Sequence, residues 1–181
     1  MIEAVILGVV WYLIFLLSTT CHEAAHAYAA RLGGDDTAYL GGQVSLDPMP
    51  HIRREPVGMV LFPIISLIYY NFPMGWASAP YDPIWARYNH RKAALMALAG
   101  PLANLALVII SGLVLKILLS QGIVSTHQIV YSVTSHSFEI DIPVWLKILG
   151  ITFFLNLLLF TFNLLPLPGF DGGSVITYFM N

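Results

Sequence analysis

The chain has 181 residues, of which 57% are hydrophobic and only 10% are Asp, Glu, Lys or Arg. Soluble domains carry about 25% charged residues, so this chain cannot cover itself with charge, and lipid is the natural solvent for its exterior. A formal net charge of −2 gives no basis for binding nucleic acid or another polyanion, and a single cysteine, Cys21, excludes an internal disulfide and a cysteine-rich metal site.

The first apolar segment runs from about Ala4 to Leu32 and stops at Gly33-Gly34. Its opening, AVILGVVWYLIFLL, has the length of a signal-peptide core. The only charged side chain before it is Glu3, however, where a signal peptide carries positive charge, and the helical pattern continues beyond it. A retained membrane span is expected.

Within that segment lies HEAAH, residues 22–26. On a helix, His22 and His26 lie one turn apart on one face. At that spacing two imidazoles can bind one zinc, while Glu23 reaches a water in the metal's open position. Zinc lowers the pKa of such a water toward ~7, and Glu23 is suited to take its proton and return it to a leaving group. The motif alone recurs by chance. Its setting gives it weight, because an ionisable side chain in hydrocarbon is costly unless it is paired or metal-bound. By helical rise, His26 lies ~9 Å and His22 ~15 Å inward from Leu32, below the surface and short of the bilayer centre.

Residues 35–55, DDTAYLGGQVSLDPMPHIRRE, combine glycines, a short alternating run and two prolines, which predicts a small β-hairpin. The next apolar stretch, VGMVLFPIISLIYYNF (57–72), is short for a span and contains Pro63; residues 73–91 read as an extended loop. Residues 92–120 are long enough to span with tilt and are interrupted by Gly100-Pro101. Residues 121–142 read as a polar linker with modest strand character. The last apolar stretch spans about 144–166 and ends in a proline pair, Pro166 and Pro168. A crossing takes ~20 residues at 1.5 Å each, so segments 4–32, 92–120 and 144–166 qualify.

Positive charge orients them. Arg31, Arg53 and Arg54 flank the first polar stretch, Arg87, Arg91 and Lys92 the second, and the third has no Lys or Arg. The positive-inside rule places the first two in the cytoplasm and the third outside. Residues 56–83 must then enter and leave from one side as a re-entrant hairpin, packed against protein or lining a polar cavity. The expected fold is a single all-α integral membrane domain over residues 1–181. It has three transmembrane helices, the re-entrant element, a small β-hairpin after the first helix, and its N-terminus outside.

A hydrolytic zinc takes three protein ligands and one open position. Asp47, His51 and Asp171 are the free candidates for the third. Asp171 follows NLLPLPGF at the inner end of the last span, at about the depth of the histidines, and it is also a candidate N-cap for GGSVITYFM. His51, beside Arg53-Arg54, is expected at the surface.

Taken together, HEAAHAYAARLGGD, GWASAP, AGPLAN and NLLPLPGFDGG resemble the site-2 protease family of intramembrane zinc metalloproteases, in particular its small bacterial and archaeal members without appended regulatory domains. The resemblance runs in order from about residue 20 to 173. It implies cleavage of peptide bonds of membrane-embedded substrates in a prokaryotic cell membrane, with the active site toward the cytoplasm. It also implies one Zn2+ per chain on His22, His26 and Asp171, and Glu23 as general base. Asn163 and Asn104 fall where the family carries asparagines, and an amide there could hold substrate backbone or an oxyanion, or join helices. Asn156 reads as structural, and Gly100 and Ala103 suit close helix packing. The chain departs from the family at Arg53, where relatives often carry an acid, and at Ser78-Ala79, where they usually have Lys-Pro. It also ends eight residues after Gly173, where relatives commonly continue. The competing readings are a non-hydrolytic zinc-binding membrane protein, such as a transporter or an inactive relative, and a lipid hydrolase. A transporter has no need of Glu23 and often shows an internal repeat, which this chain lacks.

Overall fold

The computed structural model describes residues 2–134 and 142–180. Helix α1, Ile2–Gly33, is built from an apolar run without proline. It ends where Gly34 turns to a φ of +97°, and the Asp35 N–H reaches back to Ala30 O at 2.9 Å, a glycine-dependent helix stop. Lys92 Nζ and Trp85 Nε1 both donate to the Gly33 carbonyl, which ties this end of α1 to later chain.

Two short helices follow, α2 (Thr37–Leu40) and α3 (Pro48–Arg54). They replace the expected β-hairpin, and no strand occurs among the described residues. Local side-chain chemistry decides this. Asp35 accepts from both the backbone N–H and the hydroxyl of Thr37, and Asp47 caps α3 by accepting from Met49 N with Pro48 at the first helical position. Between them only a few alternating residues remain, too few to pair, and Gln43 turns inward onto Ser78 O at 3.0 Å.

A π-helical turn, Val57–Leu61, runs into α4, Phe62–Tyr70. Asn71, at φ +54°, reverses the chain, and residues 73–82 return extended alongside the helix they left. Met74 N donates to Ser66 Oγ at 2.8 Å and Trp76 N to Gly58 O at 3.1 Å. The crossing needs glycine on both sides: a Cβ on Gly58 would sit 2.2 Å from Trp76 O, and one on Gly75 2.2 Å from Gly58 O. Asp82 then caps α5, Pro83–Tyr88.

Helix α6, His90–Ser120, continues unbroken through Pro101, and packs against α1, α8 and α9. The stretch expected as a linker with strand character forms a helix over part of its length: α7, Thr126–Thr134. Ser125 and Gln128 cap each other's backbone N–H groups there, a capping box; residues 135–141 lie outside the described residues. Helix α8 is Val144–Asn163 and α9 is Asp171–Met180.

Three helices, over Val5–Gly33, His90–Ser120 and Val144–Asn163, are long and apolar enough to cross a membrane, as expected for an integral membrane protein. One core cluster joins Leu7, Trp11, Ile14 and Phe15 of α1 to Ile151 and Leu155 of α8, with Phe72 packed on it. A second gathers Leu115, Val124, Ile142 and Leu146 at the far end. The polar side chains of α1 lie beyond the first cluster, toward the helix's C-terminal half.

Candidate metal centre

Helical rise stacks His22 and His26, and their Nε2 atoms stand 3.0 Å apart. Asp171, first residue of α9, brings its carboxylate to both, with Oδ2 3.0 Å from His22 Nε2 and Oδ1 3.3 Å from His26 Nε2. The donor atoms of a tetrahedral zinc with bonds of 2.0–2.1 Å lie about 3.3 Å apart, so the spacing suits one metal ion. Burial opposes ionisation of Asp171, but the hydrogen bonds with His22 and His26 more than offset it, holding the carboxyl well below the usual carboxylate range. An ionised carboxylate beside two imidazoles is the donor set of a borderline-soft divalent cation.

Chain geometry explains how Asp171 arrives there. After Asn163 the proline-rich turn and Gly169, at φ +93°, redirect the chain. Gly172 then passes so close to the end of α8 that a Cβ would lie 2.3 Å from Leu164 O. On the opposite wall, Gly100 of α6 faces the imidazoles. A Cβ there would lie 2.3 Å from His26 Nε2 and 2.5 Å from His22 Nε2. Its place in the sequence reads as helix packing, and the structure sets it against the donor atoms themselves.

The other two candidates for the third position lie elsewhere. Asp47 is the cap of α3. His51, expected at the surface, is 1% exposed, with its ring nitrogens facing Gln43 Nε2 and Ser45 O. The charges of Arg53-Arg54 beside it hid the fact that α3 turns this one side chain inward. Ser78, at a departure from the family pattern, donates to Glu55 and accepts from Arg54, binding the return segment to α3.

Glu23 is buried and borders two cavities, of about 220 and 150 Å3, that meet at Glu23, Ala77 and Asp171. Phe15, Trp76, Leu159 and Asn163 line the larger; Ala97, Ser174, Tyr81 and Tyr178 line the smaller. Residues 75–79 of the return segment run past both. Asn104 lines neither: it is 0% exposed, held between His22 and Asn156. Sequence reading did not single out Met96, whose carbonyl meets His26 Nδ1 at 2.7 Å. Nor did it single out Ser18 or Thr152, which hold Asn156. A lone Ser or a backbone carbonyl carries no pattern until the helices are packed.

A family model described as peptidase family M50 matches residues 10–181. The chain is 32% identical over 162 residues to "Putative zinc metalloprotease YwhC" of Bacillus subtilis (strain 168), covering 89% of this chain and 64% of that protein. It is 28% identical over 164 residues to "Putative zinc metalloprotease Rip2" of Mycobacterium tuberculosis (strain H37Rv), covering 90% of this chain and 54% of that protein. A protein of the same name from Mycolicibacterium smegmatis is 28% identical over 171 residues, covering 92% and 56%. The chain thus spans less than two thirds of the length of these relatives. No solved structure matches it.

Proposed function

The chain belongs to peptidase family M50, the site-2 protease family, and on that premise we propose that it is an intramembrane zinc metalloprotease that hydrolyses peptide bonds of membrane-embedded protein substrates. The observation that carries the reading is the convergence of His22, His26 and Asp171, whose ligand atoms all lie within 4.8 Å of one another, beside a buried glutamate at the meeting point of two cavities. One Zn2+ per chain would be held by these three residues, and the zinc metalloprotease names of the relatives support that choice of metal. Bound zinc supplies Lewis acidity and an acidified water.

The chain's own residues do the rest. Glu23 accepts the proton of the attacking water and delivers it to the departing amine, a carboxylate's work as general base and then general acid. Asn163, on the wall of the larger cavity, presents an amide to the substrate carbonyl. Residues 75–79 lie extended along both cavities and offer backbone to an unwound substrate segment. Residues 56–83 form the re-entrant element; their departure and return on one side, tied by Trp76 N to Gly58 O, support this. The site opens toward the cytoplasmic side of a prokaryotic cell membrane, in keeping with Arg31, Arg53, Arg54, Arg87, Arg91 and Lys92 at that end.

The test compares wild type with Glu23→Gln on a panel of single-span peptides, with zinc content measured alongside. The amide keeps size and removes basicity, so zinc should remain stoichiometric while turnover falls by about 10²-fold or more. Near-normal cleavage by the purified variant would end the assignment, and stoichiometric zinc with no cleavage by wild type would favour a non-hydrolytic metal protein.

A further inference from the structure

Both histidines bind metal through Nε2 only if each ring carries its proton on Nδ1, and in a neutral imidazole the partner at the other nitrogen selects the tautomer. For His26 that partner is the Met96 carbonyl, 2.7 Å from Nδ1. A carbonyl only accepts, so Nδ1 is the donor. For His22 the partner is the side chain of Asn104, and an amide can face the ring with either its oxygen or its nitrogen.

The packing removes that choice, and it does so from a distance. Asn156 of α8 reaches the Thr152 carbonyl at 2.8 Å. That carbonyl cannot donate, so the Asn156 nitrogen faces it, and the same nitrogen lies 2.9 Å from Ser18 Oγ on α1. The Asn156 oxygen must therefore face Asn104, 2.8 Å from its nitrogen. The Asn104 oxygen is left for His22 Nδ1. Asn104 and Asn156 are 0% exposed and Ser18 is 1% exposed, so water does not compete for the links among these three.

We propose that Asn104 and Asn156 are positioning residues that form a directional hydrogen-bond relay, anchored on the Thr152 carbonyl of α8, which fixes His22 as the Nδ1–H tautomer with its Nε2 lone pair turned to the metal. The inference rests on the zinc reading above and assigns work to residues that otherwise read as interhelical packing. Each of the two histidines is then set by α6. Met96 and Asn104 lie four residues to either side of Gly100, the glycine that faces both imidazoles. The relay extends this control to the third span.

The test uses the full-length protein with ring-15N-labelled histidine, and His22 is assigned by loss of its signals in His22→Gln. Zinc dissociation constants come from chelator competition; spectra are taken on metal-free protein in an Asp171→Ala background, where no carboxylate lies against His22 Nε2 to draw the proton there, at a pH where the ring is neutral. Asn104→Leu and Asn156→Leu should each weaken zinc binding about 10- to 100-fold and shift His22 away from the pure Nδ1–H signature. Asn156→Leu decides for the relay, because that residue does not touch His22: wild-type zinc affinity and an unchanged His22 spectrum in this variant would overturn it. The same variant and spectrum decide the matter if Asn104→Leu does not fold. Should wild type itself bind no zinc, the protease reading fails, and the His22 spectrum in metal-free protein still judges the relay.

Discussion

Gly100 shows how much one absent carbon can matter. Replacing a helical glycine by alanine ordinarily stabilises a helix by about 0.5–1 kcal/mol. Here the added methyl would intrude on the Nε2 atoms of both His22 and His26. Gly100→Ala should therefore raise the zinc dissociation constant at least tenfold and, because Met96 and Asn104 hold the two rings in place, lower the melting temperature of the metal-free protein as well. Competition with a chelator and a thermal melt read the two quantities separately, and unchanged zinc affinity would remove Gly100 from the site's wall. At this scale HEAAH was legible in the sequence because a helix puts residues i and i+4 on one face whatever surrounds it. Asn156 was not, since its partner Ser18 lies 138 residues away, and no local spacing encodes a contact between spans. His51 was misjudged because neighbouring charges describe the helix α3 as a whole and not the direction of one side chain.

Among the elements, the sharpest contrast is between the three carboxylate and imidazole candidates for the third ligand. Asp171 opens α9 against both histidines, whereas Asp47 caps α3 and His51 is buried beneath it. Asp171→Ala should abolish stoichiometric zinc binding and cleavage. Asp47→Ala should lower stability by about 1 kcal/mol through loss of the cap and keep zinc. His51→Ala should lower the melting temperature and likewise keep zinc. Metal analysis of the three purified variants checks all of this at once; retained zinc in Asp171→Ala with loss in His51→Ala would reverse the assignment. The three long helices were readable because ~20 apolar residues have few other uses. The short elements were not. Gln43 to Leu46 alternate in polarity and Ile129 to Val133 are rich in β-branched residues, but a cap decides each region: Asp47-Pro48 starts α3, and Ser125 with Gln128 starts α7.

For the molecule as a whole, the arrangement of spans makes a claim about sidedness. On the proposed topology, with α4 and the return segment as one out-and-back unit, α3 and α5 share one face of the membrane and the start of α7, beyond α6, lies on the other. Single cysteines at Ser45 and Arg87, in a Cys21→Ser background, should react with an impermeant maleimide only from the cytoplasmic face, and one at Thr126 only from the outside. Reaction of positions 45 and 87 from opposite faces would convert residues 56–83 into a simple crossing and reverse the orientation of everything after it.

The donors His22 and Asp171 are separated by 149 positions along the chain, and this bears on the order in which the protein is made. The two histidines are made with α1, and Asp171 emerges only after α6 and α8 have been made. Throughout that interval the growing polypeptide holds two of the three proposed ligands, so the proposed protease centre is complete only once α9 has been made. The same wide separation means that a break in the chain between α1 and α9, once the two pieces part, would divide the proposed ligand set without touching any of its residues.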